Sequence, residues 1–253
     1  MSTAAPSPQV VSPGDPPFLP LPGGTGRHRV PFPIETGPRN LVQRILAFEP
    51  GERSAFGNER SEDVLYVVSG RGRAAIGDRD IALDPGSAFL VPPATPYEIE
   101  GRGAEALVLV SVLAPPRWGD GAASPMVRPV DLDRLHVHER DQEDLPAGED
   151  RFFKLLIDPG RGSRFMTQFV GFIRRSTAPF HTHHYEECIY VLEGEGLVHI
   201  GDRREPIAGS SSVYLPPGTP HRLENVSDGL LKLLGVFCPP GSPADRMEDM
   251  AGP

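Results

Sequence analysis

The stretch PFHTHHYEECIYVLEGEG, residues 179–196, decides the fold of this chain. His181 and His183 stand two residues apart at the start of its strand-like run, and Glu187 shares their parity. Because successive side chains of a strand alternate between the two faces of a sheet, we expect all three to point to the same side. Two imidazoles and one carboxylate on one face supply three ligands of a divalent metal site.

A fourth ligand must come from a second strand, and SSSVYLPPGTPHRLEN, residues 210–225, supplies it. The Pro-Pro-Gly turn in this segment sets the approach of His221, which stands at the start of the next expected strand. The sequence therefore predicts one metal site formed by His181, His183, Glu187 and His221. Imidazole together with carboxylate suits Fe, Mn, Ni, Cu or Zn.

The two segments resemble the two sequence motifs of the cupin superfamily, G-x5-HxH-x3,4-E-x6-G and G-x5-PxG-x2-H-x3-N. The residues that carry the resemblance are His181, His183, Glu187, Gly194, Pro216, Gly218, His221 and Asn225. Two glycines depart from the pattern: Gly209 stands one residue early, and Arg175 occupies the place of the glycine before the histidines. Neither departure touches a ligand.

This resemblance implies a double-stranded β-helix barrel that holds one divalent metal ion, with open coordination positions for water and a small-molecule substrate. Fe2+ or Mn2+ is the favoured ion, with Zn2+, Ni2+ or Cu2+ as alternatives. In cupin dioxygenases similar to flavonol-cleaving enzymes the counterpart of Glu187 also takes a substrate proton, which makes Glu187 the candidate catalytic residue. The resemblance further implies a homodimer, in which edge strands or a Pro-rich arm cross between subunits.

An internal repeat extends this interpretation to the first half of the chain. Residues 61–97 align with residues 185–221 at a constant offset of 124, and their glycines and prolines coincide. Since glycine and proline fix backbone turns, the coincidence indicates a duplicated fold. The predicted fold class is all-β, with two tandem double-stranded β-helix (cupin, jelly-roll) barrels.

The predicted domains follow from the repeat and from the composition of the segments around it. They are a flexible Pro/Gly-rich arm over residues 1–38, an N-terminal cupin lacking metal ligands over 39–113, a linker over 114–150, a C-terminal metal-binding cupin over 151–240 and a tail over 241–253.

The first copy has lost the metal ligands. The offset places Gly57, Glu59, Asp63 and Tyr97 where the second copy has its three histidines and its glutamate. A carboxylate cluster at this place offers too few oxygen ligands for Mg2+ or Ca2+. We therefore expect the first copy to serve packing, against the second barrel or in a subunit interface.

Two further features are open to a functional interpretation. His136 and His138 with Glu143 also satisfy the HxH-x4-E spacing, but their charged, Pro-ended surroundings indicate a surface segment rather than a second site. Arg174 and Arg175 could recognise an anionic substrate, although arginines that flank a strand are more often solvated.

The composition disfavours several classes of protein. With 253 residues the chain is long enough for two domains. Its net charge of −9 argues against a nucleic-acid partner, and no apolar run approaches the ~18 residues of a membrane span. The first residues lack the pattern of a signal peptide, so a cytoplasmic location is expected. Cys188 and Cys238 are the two cysteines, and we expect both to be reduced structural thiols.

Three function classes fit such a metal site. The leading hypothesis is an oxygen-dependent oxidoreductase of the dioxygenase type that acts on a small organic molecule. The alternative is a redox-neutral metal-dependent isomerase, decarboxylase or lyase that polarises a carbonyl group. A non-catalytic cupin that binds a small ligand is the third class, and fold alone does not choose among them.

Overall fold

The computed structural model describes residues 5–33, 35–115, 134–148, 150–175 and 177–244, and these residues form β-strands joined by turns. Short 3-10 turns occur at Glu139–Asp141 and Pro159–Arg161. The prediction of an all-β fold is confirmed. Within the described ranges, no helix is long and apolar enough to cross a membrane.

The strands divide into two halves. Those of the first half are β1 (Gln9–Val11), β2 (Leu19–Pro20), β3 (Arg27–Arg29), β4 (Val42–Phe48), β5 (Arg53–Phe56), β6 (Glu62–Ser69), β7 (Arg71–Ile76), β8 (Arg79–Leu83), β9 (Ser87–Val91), β10 (Tyr97–Arg102) and β11 (Leu107–Ala114). Those of the second half are β12 (His136–His138), β13 (Leu145–Gly148), β14 (Arg151–Ile157), β15 (Thr167–Ile173), β16 (Glu186–Glu193), β17 (Glu195–Ile200), β18 (Arg203–Ala208), β19 (Ser212–Leu215), β20 (His221–Asn225) and β21 (Leu231–Cys238).

Each half contains two sheets that enclose an apolar core. In the first half the sheets have the orders β12-β9-β6-β11-β4-β3-β2 and β5-β10-β7-β8, and in the second half β1-β19-β16-β21-β15-β14-β13 and β18-β17-β20. The corresponding strands occur in the same order, as a duplicated fold requires. We call the first pair of sheets the N-terminal barrel and the second pair the C-terminal barrel; β1 and β12 each belong to the barrel of the other half of the chain.

The position of strand β16 explains why the first motif contains an almost continuous apolar segment. Ile189 and Val191 point into the core of the C-terminal barrel, whereas Cys188 and Tyr190 join a core cluster shared with the N-terminal barrel. Both faces of this strand are therefore buried, which replaces the alternation of a half-exposed strand by a continuous hydrophobic run. The two barrels pack face to face through this shared core.

The backbone conformation at the end of β16 requires a glycine. Gly194 has φ +89° between β16 and β17, and a Cβ there would collide with the carbonyl oxygen of Leu230. Its counterpart Gly70 has φ +76° and the same close approach to the carbonyl of Ala106. A positive φ and a close backbone contact are both restricted to glycine, which explains why the repeat keeps glycine at this place.

The barrels exchange edge strands. Strand β1, which precedes the N-terminal barrel, pairs with β19 of the C-terminal barrel, and β12, which precedes the C-terminal barrel, pairs with β9 of the N-terminal barrel. Sequence reasoning expects a flexible arm over residues 1–38, whereas the structure places β1, β2 and β3 there. These strands are too short to show a two-residue period. They are ordered because they pair with the edge of a sheet that already exists.

Candidate metal centre

Two of the four predicted ligands lie at the ends of strands in the C-terminal barrel, and the other two precede a strand. His221 is the first residue of β20 and Glu187 the second residue of β16. His181 lies outside the named strands, and its backbone exchanges two hydrogen bonds with that of His221, at 3.1 and 3.0 Å. The backbone carbonyl of His183 accepts a hydrogen bond from Gly218 at 2.8 Å. The two histidines therefore precede β16 instead of continuing it, so tertiary pairing, not strand parity, sets their direction.

The side chains of these residues converge. One ring nitrogen each of His181, His183 and His221 lies within 4.8 Å of the other two. Glu187 reaches two of them, with Oε2 3.4 Å from His221 Nε2 and 3.8 Å from His183 Nε2. Since metal–nitrogen and metal–oxygen bonds are about 2.0–2.2 Å long, ligand atoms with this spacing can share one ion after small adjustments.

Hydrogen bonds to the far side of two rings fix their orientation. Nδ1 of His181 lies 3.0 Å from the Pro179 carbonyl oxygen, and Nδ1 of His221 lies 2.9 Å from the Thr219 carbonyl oxygen. A carbonyl only accepts, so Nδ1 must carry the proton in both rings and Nε2 must carry the lone pair. This is the second-layer arrangement that metal-binding histidines use.

Burial and neighbouring charges leave two of these groups, His181 and Glu187, in the state that a metal requires. Burial, together with the neighbouring His221, lowers the pKa of His181 to about 4. Burial alone would raise the pKa of Glu187, but the neighbouring imidazoles, His221 above all, outweigh this effect and hold that pKa below its usual value. A neutral imidazole and an ionised carboxylate at neutral pH are the forms that bind a divalent ion.

Aromatic rings form a wall beside the cluster. The His183 ring stacks on Tyr185 with centroids 4.7 Å apart and lies 5.2 Å from the centroid of Phe237. Phe237 in turn contacts Phe169 at 4.8 Å. Sequence analysis did not single out these residues, because they belong to three separate strands or loops and look like ordinary core positions. We call Phe169, Tyr185 and Phe237 the aromatic wall.

The equivalent place in the N-terminal barrel holds an ion pair. Asp63, at the position of Glu187, accepts hydrogen bonds from Arg44 at 2.7 Å, from Ser111 at 2.7 Å and from the Tyr97 hydroxyl. Arg44 also donates to Ser111 at 2.8 Å. A guanidinium thus neutralises the buried carboxylate that remains after loss of the histidines, which is the condition for burying a charge.

The constant offset misplaces one residue of this degenerate site. It aligns His181 with Gly57, but the residue opposite Tyr97 in the strand pairing is Phe56, just as His181 lies opposite His221. The Phe56 and Tyr97 rings stack with centroids 5.0 Å apart. The true counterpart of the first histidine is therefore an aromatic residue, and the repeat contains a local one-residue shift here.

The second HxH pattern has a different environment. His136 and His138 belong to β12, which adds to the N-terminal barrel as an edge strand. The ring of His138 accepts a hydrogen bond from the Arg140 backbone at 3.2 Å and lies 3.5 Å from Asp84, while Glu143 is exposed. Among the described residues, the histidines of the C-terminal barrel form the cluster suited to a metal ion, and this pattern does not join it.

The two candidate anion-binding arginines make other contacts. Both side chains are exposed. The guanidinium of Arg174 lies over the ring of Phe152 at 5.8 Å, and the backbone of Arg175 donates to Asp150 at 2.8 Å.

A barrel of two facing sheets with histidines and a glutamate at the ends of its strands defines a metal-type cupin site. The Cupin domain family model matches residues 44–113 and 171–237, one match in each barrel, and the chain belongs to the cupin family. The expectation of two tandem cupin domains is thereby confirmed.

Curated relatives match one part of the chain. An uncharacterized protein of Methanocaldococcus jannaschii is 39% identical over 64 residues, which are 24% of this chain and 51% of that protein. The chain thus spans about half the length of the curated relative it matches. This relative carries no functional description that could be compared with the site.

Solved structures match almost the whole chain. A protein of Pseudomonas aeruginosa named as glyoxylate-induced superposes with a TM-score of 0.75 at 17% identity, over 96% of this chain and 92% of that one. An oxalate decarboxylase of Bacillus subtilis with Mn(II) centres superposes with a TM-score of 0.70 at 15% identity, over 92% of this chain and 77% of that one. At such identities the likeness establishes the fold alone.

Proposed function

We propose that this protein is a metal-dependent enzyme that uses molecular oxygen to oxidise a small organic molecule. His181, His183, Glu187 and His221 hold one divalent ion, Fe2+ or Mn2+ in the first place. The observation that carries the proposal is the convergence of three imidazole nitrogens within 4.8 Å beside a buried carboxylate. Such a donor set suits redox-active first-row metals.

When bound, the ion would supply Lewis acidity and, if redox-active, the electrons for oxygen chemistry. The protein groups do the rest. Glu187 is 5% exposed and ionised, and its Oε2 has no hydrogen-bond partner of good geometry, so this oxygen can accept a proton from a substrate held beside it. The Nδ1 hydrogen bonds of His181 and His221 keep the imidazoles in place during this transfer.

The aromatic wall favours a substrate with an apolar or aromatic body. Where the N-terminal barrel places Arg44 against Ser111, the C-terminal barrel places Phe169 against Gly235 at the corresponding pair of the ladder. The Phe169 ring fills the space that a Cβ at position 235 would need. At this position the C-terminal barrel therefore has an aromatic ring in place of a cation and a hydroxyl group. This supports an apolar substrate and the apolar gas O2 rather than a small dianion as substrate.

The redox-neutral alternative is a decarboxylase, isomerase or lyase. The observation in its favour is the shared fold with oxalate decarboxylase, together with the suitability of the same ligand set for Lewis-acid catalysis. We also propose that the protein forms a homodimer. Strand β1 pairs within its own chain and does not need to cross between subunits. Sedimentation of the full chain tests the dimer, and a monomer at micromolar concentration would remove it.

The metal site is tested by elemental analysis of wild-type protein and of two variants. His221→Ala is expected to lose most of the bound metal, whereas His136→Ala, from the second HxH pattern, should keep it. Equal metal content in both variants would remove His221 from the site.

The reaction class is tested by oxygen uptake with a panel of aromatic and enolisable compounds. The dioxygenase hypothesis expects substrate-dependent consumption of O2 that stops under anaerobic conditions. Turnover at full rate without oxygen would instead establish the redox-neutral alternative.

A further inference from the structure

Two glutamates join the barrels in a reciprocal manner. Glu186 of the C-terminal barrel accepts hydrogen bonds from the backbone N–H groups of Arg39 and Asn40, both at 2.8 Å. Glu62 of the N-terminal barrel, its counterpart in the repeat, accepts hydrogen bonds from the backbone N–H groups of Arg164 and Phe165, at 3.0 and 2.9 Å. Each carboxylate thus binds the loop that leads into a strand of the opposite barrel. We call these two contacts the Glu186 clasp and the Glu62 clasp.

Both clasps are buried and strong. The glutamates are each 1% exposed. A third donor completes each one: the Tyr214 hydroxyl at 3.2 Å from Glu186, and the Ser163 hydroxyl at Glu62. Hydrogen bonds to an ionised acceptor are about twice as strong as neutral ones, and a buried carboxylate without them would be costly. Each clasp therefore holds its strand firmly against the other barrel.

The Glu186 clasp lies directly beside a proposed metal ligand. Glu186 is the first residue of β16 and Glu187 the second, so their side chains point to opposite faces of the sheet. The ends of strands fray unless they are tied down. The clasp ties down this end from the face opposite to the metal, and two of its three donors, the backbone N–H groups of Arg39 and Asn40, belong to the other barrel.

The Glu62 clasp lies beside Asp63, which has no metal to bind. Asp63 is held by Arg44, Ser111 and Tyr97 within its own barrel. The Asp63 side chain is thus fixed by hydrogen bonds of its own barrel, whereas Oε2 of Glu187 has no hydrogen-bond partner among the residues that the structure describes, so the two clasps have the same chemistry but different consequences.

We propose that the N-terminal barrel, which has lost its own ligands, serves to position the metal ligand of the C-terminal barrel, with Glu186 as the positioning residue. The proposal rests on the metal site proposed above. The backbone N–H groups of Arg39 and Asn40 bind Glu186, and Glu186 fixes the start of β16. The position of Glu187, the next residue of that strand, is thereby fixed as well. A purely structural role would instead make the two clasps equivalent.

The test compares Glu186→Gln with Glu62→Gln in the full chain. Both variants lose the charge of one clasp and keep its size, so both are expected to lose similar stability in the metal-free form, measured by urea unfolding. Affinity for Mn2+ or Co2+ is then measured by competition with a chelator. We expect affinity to fall about 10-fold in Glu186→Gln, the low end of the loss known for groups that orient a metal ligand, and less than about 2-fold in Glu62→Gln.

The visible absorption bands of bound Co2+ give a second readout. They are expected to change in Glu186→Gln and to stay as in wild type in Glu62→Gln, since only the first variant moves a ligand. If Glu186→Gln does not fold, Tyr214→Phe removes only the third donor of the clasp and should lower affinity about 2- to 5-fold.

Equal affinities and equal spectra in the paired variants would overturn the positioning role and leave the metal site standing. Wild-type protein that binds no divalent ion would overturn both proposals. Wild-type protein that binds metal but consumes no oxygen would affect only the proposed reaction.

Discussion

The buried ion pair of the N-terminal barrel gives the sharpest stability prediction. In the change Arg44→Met the apolar stem stays, but Asp63 loses its cation. The Asp63 side chain is fully buried and that of Arg44 is only 16% exposed. Removing one partner of such a pair costs about 3–5 kcal/mol, because the other charge stays buried without compensation.

The matched control is an exposed pair of the same kind. Arg27 and Glu49 are 2.6 Å apart with side chains 48% and 52% exposed. Solvent screens such a pair, so Arg27→Met is expected to cost no more than about 1 kcal/mol. The free energy of unfolding from urea titration, followed by circular dichroism, measures both changes. Equal losses in the two variants would refute the electrostatic reasoning.

The same prediction has a pH dependence. Burial raises the pKa of Asp63, and Arg44 is the largest influence that opposes this rise. Without Arg44 the folded pKa rises further above the unfolded value, so the variant loses stability as the pH increases from about 4 through the folded pKa. The difference between wild type and Arg44→Met should therefore be smaller at pH 5 than at pH 8. A difference that is independent of pH would mean that Asp63 is not the group left unpaired.

The remaining predictions concern the C-terminal barrel. Gly235→Ala is expected to cost about 1–3 kcal/mol, because the new Cβ would collide with the Phe169 ring, and an unchanged urea midpoint would contradict this. Removal of metal with a chelator should lower the free energy of unfolding by about 2.7 kcal/mol, relative to protein in a free-ion concentration about 100 times the dissociation constant. An unchanged free energy of unfolding would argue against a bound ion. The metal-free protein should lose stability as the pH falls from about 6.5 to about 4, because the folded pKa of His181 lies below its unfolded value; His181→Gln should flatten this part of the curve in urea titrations.

Much of the fold could be predicted from the sequence because its signals are local. Glycines such as Gly70 and Gly194 mark turns that no other residue permits, and their regular offset reveals the duplication. Strand content follows from short apolar runs between turn residues. The candidate ligands His181, His183, Glu187 and His221 follow from spacing along the chain, and the structure brings the three histidines together.

Other features depended on residues that are far apart in sequence. Spacing aligned Gly57 with His181, but only the pairing of β5 with β10 identifies Phe56 as the counterpart. The aromatic wall, the exchange of β1 and β12, and the two clasps equally join segments with no shared local pattern.

The sequence by itself determined the fold class, the repeat and the identity of the candidate ligands, because these depend on backbone preferences and on short spacings along the chain. What only the tertiary structure decided was which surfaces meet. Glu62 and Glu186 look like ordinary surface glutamates in the sequence, yet each is buried against backbone groups more than 100 positions away. A carboxylate can be buried there only because the opposite barrel presents donors at that point, and no local property of the chain encodes that meeting.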